Sequence, residues 1–157
     1  MSEPSVLHNT FVIERLYPKP PETVFAAFSD PDKKRRWFAG SSGTDVVEFT
    51  MDFRVGGIER YQSRFKEGSP FPGVILASDG RYQQIIPNRC IVTAATMALG
   101  DRRISAALAT VELLPAAGGT NLVCTHQGAF FEGSDGPEMR EQGWRTLFER
   151  LAEELAH

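Results

Sequence analysis

Three histidines, His8, His126 and His157, are the side chains best suited to proton transfer, because an imidazole titrates at about pH 6.5. They are too scattered for a metal site, and no His/Cys/carboxylate run has metal-ligand spacing, so no metal is expected. Neither a G-x-S-x-G elbow, a Walker loop nor a GxGxxG turn occurs, so no cofactor is expected. His126 is the one acid/base candidate. It shares strand parity with Leu122 and Cys124, which aims it inward. No partner triad accompanies it, so a hydrogen-bonded structural histidine is the competing reading, and an enzyme is the less favoured one. A second set is apolar: Trp37, Phe53, Tyr61, Phe65, Met97, Trp144 and Phe148. With His126 they could wall a pocket for a small apolar ligand, although for any one of them filling a close-packed core is the better reading from the residues alone. Tyr61 and Trp144 each add a polar handle that could orient a ligand.

Bulk properties narrow the class. A chain of 157 residues suits one domain, here 1–157, with a core that needs no staples. Net charge is −3, which gives no basic field for nucleic acid. The run Lys33-Lys34-Arg35-Arg36 is local and reads as a solvated helix face that could touch an acidic partner. Two cysteines, Cys90 and Cys124, sit in apolar stretches and read as buried thiols, with one disulfide between neighbouring strands as the alternative. No signal peptide and no apolar run of membrane-spanning length is visible, so a cytoplasmic protein without a membrane partner is expected.

The elements that must position these side chains follow from periodicity. Thr10 to Tyr17 reads as a strand ended by Pro18-Lys19-Pro20-Pro21, with residues 1–9 expected to be flexible. A helix through Glu22 to Ser29 carries Val24, Phe25 and Phe28 on one face; Asp30-Pro31 caps a second short helix ending near Trp37 to Gly40. Strands are then predicted at Val46–Phe53, Ile58–Lys66, Val74–Ile86, Cys90–Leu99, Arg103–Leu114 and Thr120–Gln127. In the first of these Val47, Phe49, Met51 and Phe53 share a face; Gly56-Gly57 turns the chain, Arg54 pairs with Asp52, and Asp79-Gly80 bulges its strand. After Pro137 an amphipathic helix places Trp144, Leu147, Phe148, Leu151 and Leu155 on one stripe. Gly143 inside it suggests close packing on the sheet, at a cost of about 1 kcal/mol relative to alanine. Strands joined by short turns cannot be doubly wound, so the class is α+β, a curved antiparallel sheet with helices on one face.

Several motifs add a family. The stretch from Tyr17-Pro18 through Pro21-Glu22, Val24-Phe25, Ala27-Phe28 and Asp30-Pro31 resembles the opening of the START-like (SRPBCC) superfamily. So do Trp37-Phe38 closing the second helix, Asp52-Phe53-Arg54-Val55-Gly56-Gly57, Pro87-Asn88-Arg89, Gly118-Gly119-Thr120-Asn121-Leu122, and Gly143-Trp144 with Leu147 and Leu151. The chain is most similar to the branch named for the C-terminal domain of activators of Hsp90 ATPase. The resemblance implies the helix-grip fold, with a long C-terminal helix over a ligand cavity. It also implies three candidate functions: binding of a small hydrophobic or amphipathic ligand, a co-chaperone-like interaction module with a chaperone as partner, or cyclase/hydratase chemistry through His126. Homodimers are common in such domains. Two departures bear on the pocket: His126 stands where the family often has glutamate, and the strand carrying Ala94, Ala95 and Ala98 is poorer in bulky residues.

Overall fold

The β-branched and aromatic runs form seven strands in the computed structural model, which describes residues 5–157: β1 (Leu7–Tyr17), β2 (Thr44–Met51), β3 (Ile58–Phe65), β4 (Ile75–Ile86), β5 (Cys90–Leu99), β6 (Arg102–Ala116) and β7 (Gly119–Phe130). Helices α1 (Pro21–Ser29) and α2 (Pro31–Phe38) separate the first two strands, and α3 (Pro137–Leu155) follows the last. All strands pair antiparallel in one sheet of order β1-β7-β6-β5-β4-β3-β2. The two-helix crossover carries the chain from one edge of the sheet to the other, and short turns then bring it back strand by strand. This is the α+β helix-grip arrangement.

Local chemistry accounts for the helix boundaries. The Asp30 carboxylate accepts the backbone N–H groups of Asp32 at 2.9 Å and Lys33 at 3.3 Å, with Pro31 in the first turn of α2. Val24, Ala27 and Phe28 of α1 and Phe148, Leu151 and Leu155 of α3 are buried together with Ile13, Tyr17, Leu113 and Leu122 of the sheet. Each such large side chain contributes about 1.5–3 kcal/mol by leaving water. The Tyr17 hydroxyl donates to the Phe148 carbonyl at 2.8 Å and ties the end of β1 to α3. Beyond β2, Gly56 takes φ +85°, and a Cβ on Gly57 would stand 1.9 Å from the Asp52 carbonyl oxygen, so this turn requires glycine. The Arg54–Asp52 pair forms beside it at 2.7 Å.

The structure departs from the sequence reading along the backbone at four places. Strand β1 begins at Leu7, because β7 runs on to Phe130 and offers Leu7, His8 and Asn9 a partner edge. Those three residues are paired strand; residues 1–4 lie outside the described residues. A register shift between Val46 and Glu48 turns Val47 out to solvent, off the face of Phe49 and Met51. Asp79-Gly80 pairs regularly, and the β4 irregularity lies between Tyr82 and Gln84. Gly80 instead relieves crowding, since a Cβ there would meet Thr93 Cγ2 at 3.1 Å. Gly143 has open space where a Cβ would stand, so close packing does not explain it. The cysteines are free: Cys90 sits opposite Glu112, whereas Cys124 sits opposite Val111, one register step away and on the other face. Burial pushes the Cys124 thiol up to about 12.

Two substitutions test this packing. Tyr17→Phe should cost about 1 kcal/mol in urea unfolding through the lost buried hydrogen bond. Gly143→Ala should add up to about 1 kcal/mol, because helix propensity is gained with no clash. A destabilised Gly143→Ala protein would mean the helix sits closer to the sheet than described.

Candidate functional site

The inward faces of the central strands are small. Ser63 of β3, Ser78 and Gly80 of β4, Ala95 of β5, and Ser105, Ala107 and Ala109 of β6 all point toward α3. Meanwhile α3 packs on α1, α2 and β1, at one side of the sheet. A rigid helix braced there cannot settle onto a surface paved with serine, alanine and glycine. The result is a cavity of about 980 Å³ between helix and sheet, at the upper end of the roughly 300–1,000 Å³ usual for ligand pockets. Ser41, Ser42, Met139, Gly143 and Thr146 line it and are exposed, which places its mouth between the loop before β2 and the first turns of α3. Met139 is 68% exposed there. Gly143 lies on that rim, with open space where a Cβ would stand.

Of the eight side chains singled out from sequence, Trp37, Tyr61, Phe65, Met97, His126 and Trp144 line the cavity. Phe53 and Phe148 do not. Phe53 lies past the end of β2 and packs edge-on against Phe25 and Tyr82, with ring centroids 5.6 and 5.0 Å away. Phe148, one helical turn after Trp144, is fully buried in the core where Tyr17 meets α3. Phe148 adjoins the cavity-lining Leu147, but it and Phe53 both pack into the core. Trp37 is anchored by its indole N–H on the Ala27 carbonyl at 2.9 Å. The Tyr61 hydroxyl accepts the Gly40 N–H at 2.7 Å, which leaves its own proton free toward the cavity.

Two polar clusters interrupt the apolar wall. Lys34, read from sequence as part of a solvated face, is only 7% exposed. Its ammonium lies 2.7 Å from Glu59 Oε2 and 4.6 Å from the Phe38 ring centroid. Glu59 is 8% exposed and also accepts the Tyr82 hydroxyl. Burial, then the Glu59 charge, raises the Tyr82 pKa well above the ordinary phenol value, so Tyr82 stays a donor. Sequence signals for this cluster existed: Lys34 precedes Trp37 and Phe38 by one helical turn, and Glu59 shares strand parity with Tyr61 and Ser63.

The second cluster surrounds His126, which is 2% exposed. Phe11 stacks on its ring at 4.6 Å and 4°, Phe130 flanks it at 6.2 Å, and Trp144 meets it at 6.2 Å. A Cβ on Gly128 would stand 2.9 Å from Phe130 Cε2 and 3.0 Å from His126 Cε1, so glycine there lets the two rings lean together. Nδ1 of His126 is buried with no hydrogen-bond partner among the described residues. Burial, then the positive charge of Arg140, holds the imidazole down to about 4, so it is neutral at physiological pH. Arg140, 8% exposed, donates to Asp135 at 2.9 Å and to Ser105 Oγ at 3.0 Å. Burial raises the Asp135 carboxyl, but the hydrogen bonds from Arg140 and Ser134 outweigh it and hold the pKa below the usual carboxylate range. Among the described residues no group of His, Cys, Asp and Glu could hold a metal ion, and no helix is long and apolar enough to cross a membrane.

The buried Lys34–Glu59 pair gives a direct check. Lys34→Met should cost about 3–5 kcal/mol because Glu59 is left buried and unpaired, and Lys34→Met with Glu59→Leu should recover most of that in urea unfolding. An equally unstable double variant would contradict this account.

Comparison with known proteins agrees with the geometry. The sequence matches the family described as activator of Hsp90 ATPase homolog 1-like protein over residues 18–156. A protein of known structure from Rhizobium loti is 47% identical over 96% of this chain and 99% of its own, with a TM-score of 0.83. Another, from Rhizobium leguminosarum, is 38% identical over 97% of each chain, with a TM-score of 0.89. A homologue from Aeromonas hydrophila, described as like the same activator, shares the fold at 22% identity over 94% of this chain and 92% of its own, with a TM-score of 0.68. No curated protein matches the chain. On the match over residues 18–156, the chain belongs to the activator of Hsp90 ATPase homolog 1-like family, a branch of the START-like (SRPBCC) superfamily.

Proposed function

We propose that this protein binds one small apolar or amphipathic molecule in the space between α3 and the sheet. The observation that carries the reading is the cavity of about 980 Å³, walled by Trp37, Phe38, Tyr61, Met97, Trp144 and Leu147 with a few polar tips. A space of that size walled largely by apolar side chains leaves their surface in contact with water unless an apolar molecule covers it. Catalysis through His126 is less well supported. A base with a pKa of about 4 takes up protons poorly at neutral pH, and Asp135, the nearby carboxylate, is occupied by Arg140 instead of orienting the imidazole. A co-chaperone role rests on the family description alone.

Titration with neutral N-phenylnaphthylamine tests the binding reading. Its fluorescence should rise with one molecule bound per chain, and Ala107→Phe, which fills the cavity from the sheet side, should weaken binding at least tenfold while leaving circular dichroism unchanged. No fluorescence rise, or unchanged binding in a folded Ala107→Phe protein, would remove the proposal.

The neutral histidine carries a second expectation. His126 has a folded pKa of about 4, below its unfolded value of about 6.5. The unfolded state therefore binds more protons between those values, and stability contributed by keeping His126 neutral is lost as pH falls from about 6.5 toward 4. His126→Phe should flatten that part of the pH–stability curve by about 1–3 kcal/mol. An equal slope in wild type and variant would show that His126 titrates normally.

A further inference from the structure

Five charged side chains face the cavity, and they decide what kind of polar group it can take. Lys34 is paired to Glu59, and that carboxylate is further held by Tyr82. Arg140 is held by both oxygens of Asp135 and by Ser105. Arg150, which has no carboxylate partner among the described residues, spends its guanidinium on the carbonyls of Arg36, Ala39 and Gly40 at the end of α2. There the helix dipole is negative and favours a cation. Every cation is thus committed to an anion or to carbonyl oxygens. An incoming carboxylate would lose its hydration and find no free positive charge to replace it.

What remains uncommitted is neutral. The Ser105 hydroxyl accepts from Arg140 and keeps its own proton, and the Tyr61 hydroxyl keeps its own in the same way. His126 lines the cavity and is fixed by the Phe11 stack; its unpartnered Nδ1 is closed off from the space, which leaves Nε2 as the ring nitrogen a ligand can reach. A buried polar group left without a partner costs about 1–3 kcal/mol, more than stacking alone would require of this position. A phenylalanine would stack equally well between Phe11 and Phe130 without that cost.

The geometry points to a ligand whose polar end is uncharged, a carbonyl or a hydroxyl, seated against His126 and Ser105 with its apolar body along Met97 and Trp144. This rests on the ligand-binding reading above and narrows it to a class. The neutral state of the imidazole agrees with it, since a protonated ring would call for an anion. A ligand oxygen there meets the Ser105 hydroxyl and the one accessible ring nitrogen of His126, which donates or accepts according to the tautomer.

Four probes of nearly the same shape separate the possibilities by displacement of N-phenylnaphthylamine: β-acetonaphthone, the alcohol from its reduction, β-naphthoate and β-isopropylnaphthalene. The ketone and the alcohol should each bind about tenfold more tightly than the hydrocarbon and than the carboxylate, at pH 7. In His126→Phe, which keeps the aromatic stack, that preference should fall to within about twofold while hydrocarbon binding is retained; His126→Gln, with an amide in place of the imidazole, should restore part of it. Naphthoate binding tightest, a hydrocarbon bound as well as the ketone, or a preference that survives His126→Phe would each overturn the head-group assignment and leave the cavity reading standing. If none of the four displaces the dye although the dye binds, the assignment also fails. If the dye itself does not bind, both readings fall together.

Discussion

The fold depends on one steric constraint: a helix braced at the side of a curved sheet whose centre is paved with small residues. Tyr17, the α1–α2 pair and the buried Phe148, Leu151 and Leu155 hold α3 in place. The sheet beneath it carries serine, glycine and alanine where a solid core would carry leucine or phenylalanine. Interiors normally close to crystal-like density. Here the brace prevents collapse, so the volume that large side chains would fill stays open. Enclosure, the exposed mouth at Gly143 and the aromatic walls all follow from that mismatch between helix position and side-chain size.

The buried charges fit the same frame. Lys34–Glu59–Tyr82 joins α2 to the β3–β4 part of the sheet, and Arg140–Asp135–Ser105 joins the start of α3 to β6. Such groups add less net stability than packed apolar residues of the same volume. Their effect is specificity of geometry, because each breaks down if the helix slides. They pin both helices across a gap that lacks the van der Waals contacts to pin them otherwise. They also set the polarity of the cavity, since its lining charges other than Arg150 are paired within these two clusters.

Much of this was legible in the sequence, for physical reasons that differ by element. The amphipathic stripe of α3, the Asp30-Pro31 cap and the Gly56-Gly57 turn are local signals, set by backbone sterics and helix period, and the structure places them where those signals lie. The outward turn of Val47 was hidden, because a bulge depends on the partner strand and not on alternation within its own. Lys34 was misread because a helix of eight residues with four consecutive basic side chains looks solvated. Its spacing from Trp37 was the signal against that reading. Arg140 had the same signal, four residues before Trp144. Phe53 and Phe148 could not be separated from the cavity walls by parity alone, since the same face of an element serves both core and cavity along its length. The openness of the space was not legible at all. It depends on how far α3 stands from the sheet, a tertiary distance that no local pattern encodes.

The central claim is that this gap is a binding site and not merely poor packing. A crystal structure of the protein soaked with N-phenylnaphthylamine tests it most directly. One dye molecule is expected between α3 and the sheet, with rings against Met97 and Trp144 and with α1, α2 and β7 unmoved. Dye density confined to the outer surface, with Trp144 and Met97 closed over a solid interior, would contradict it.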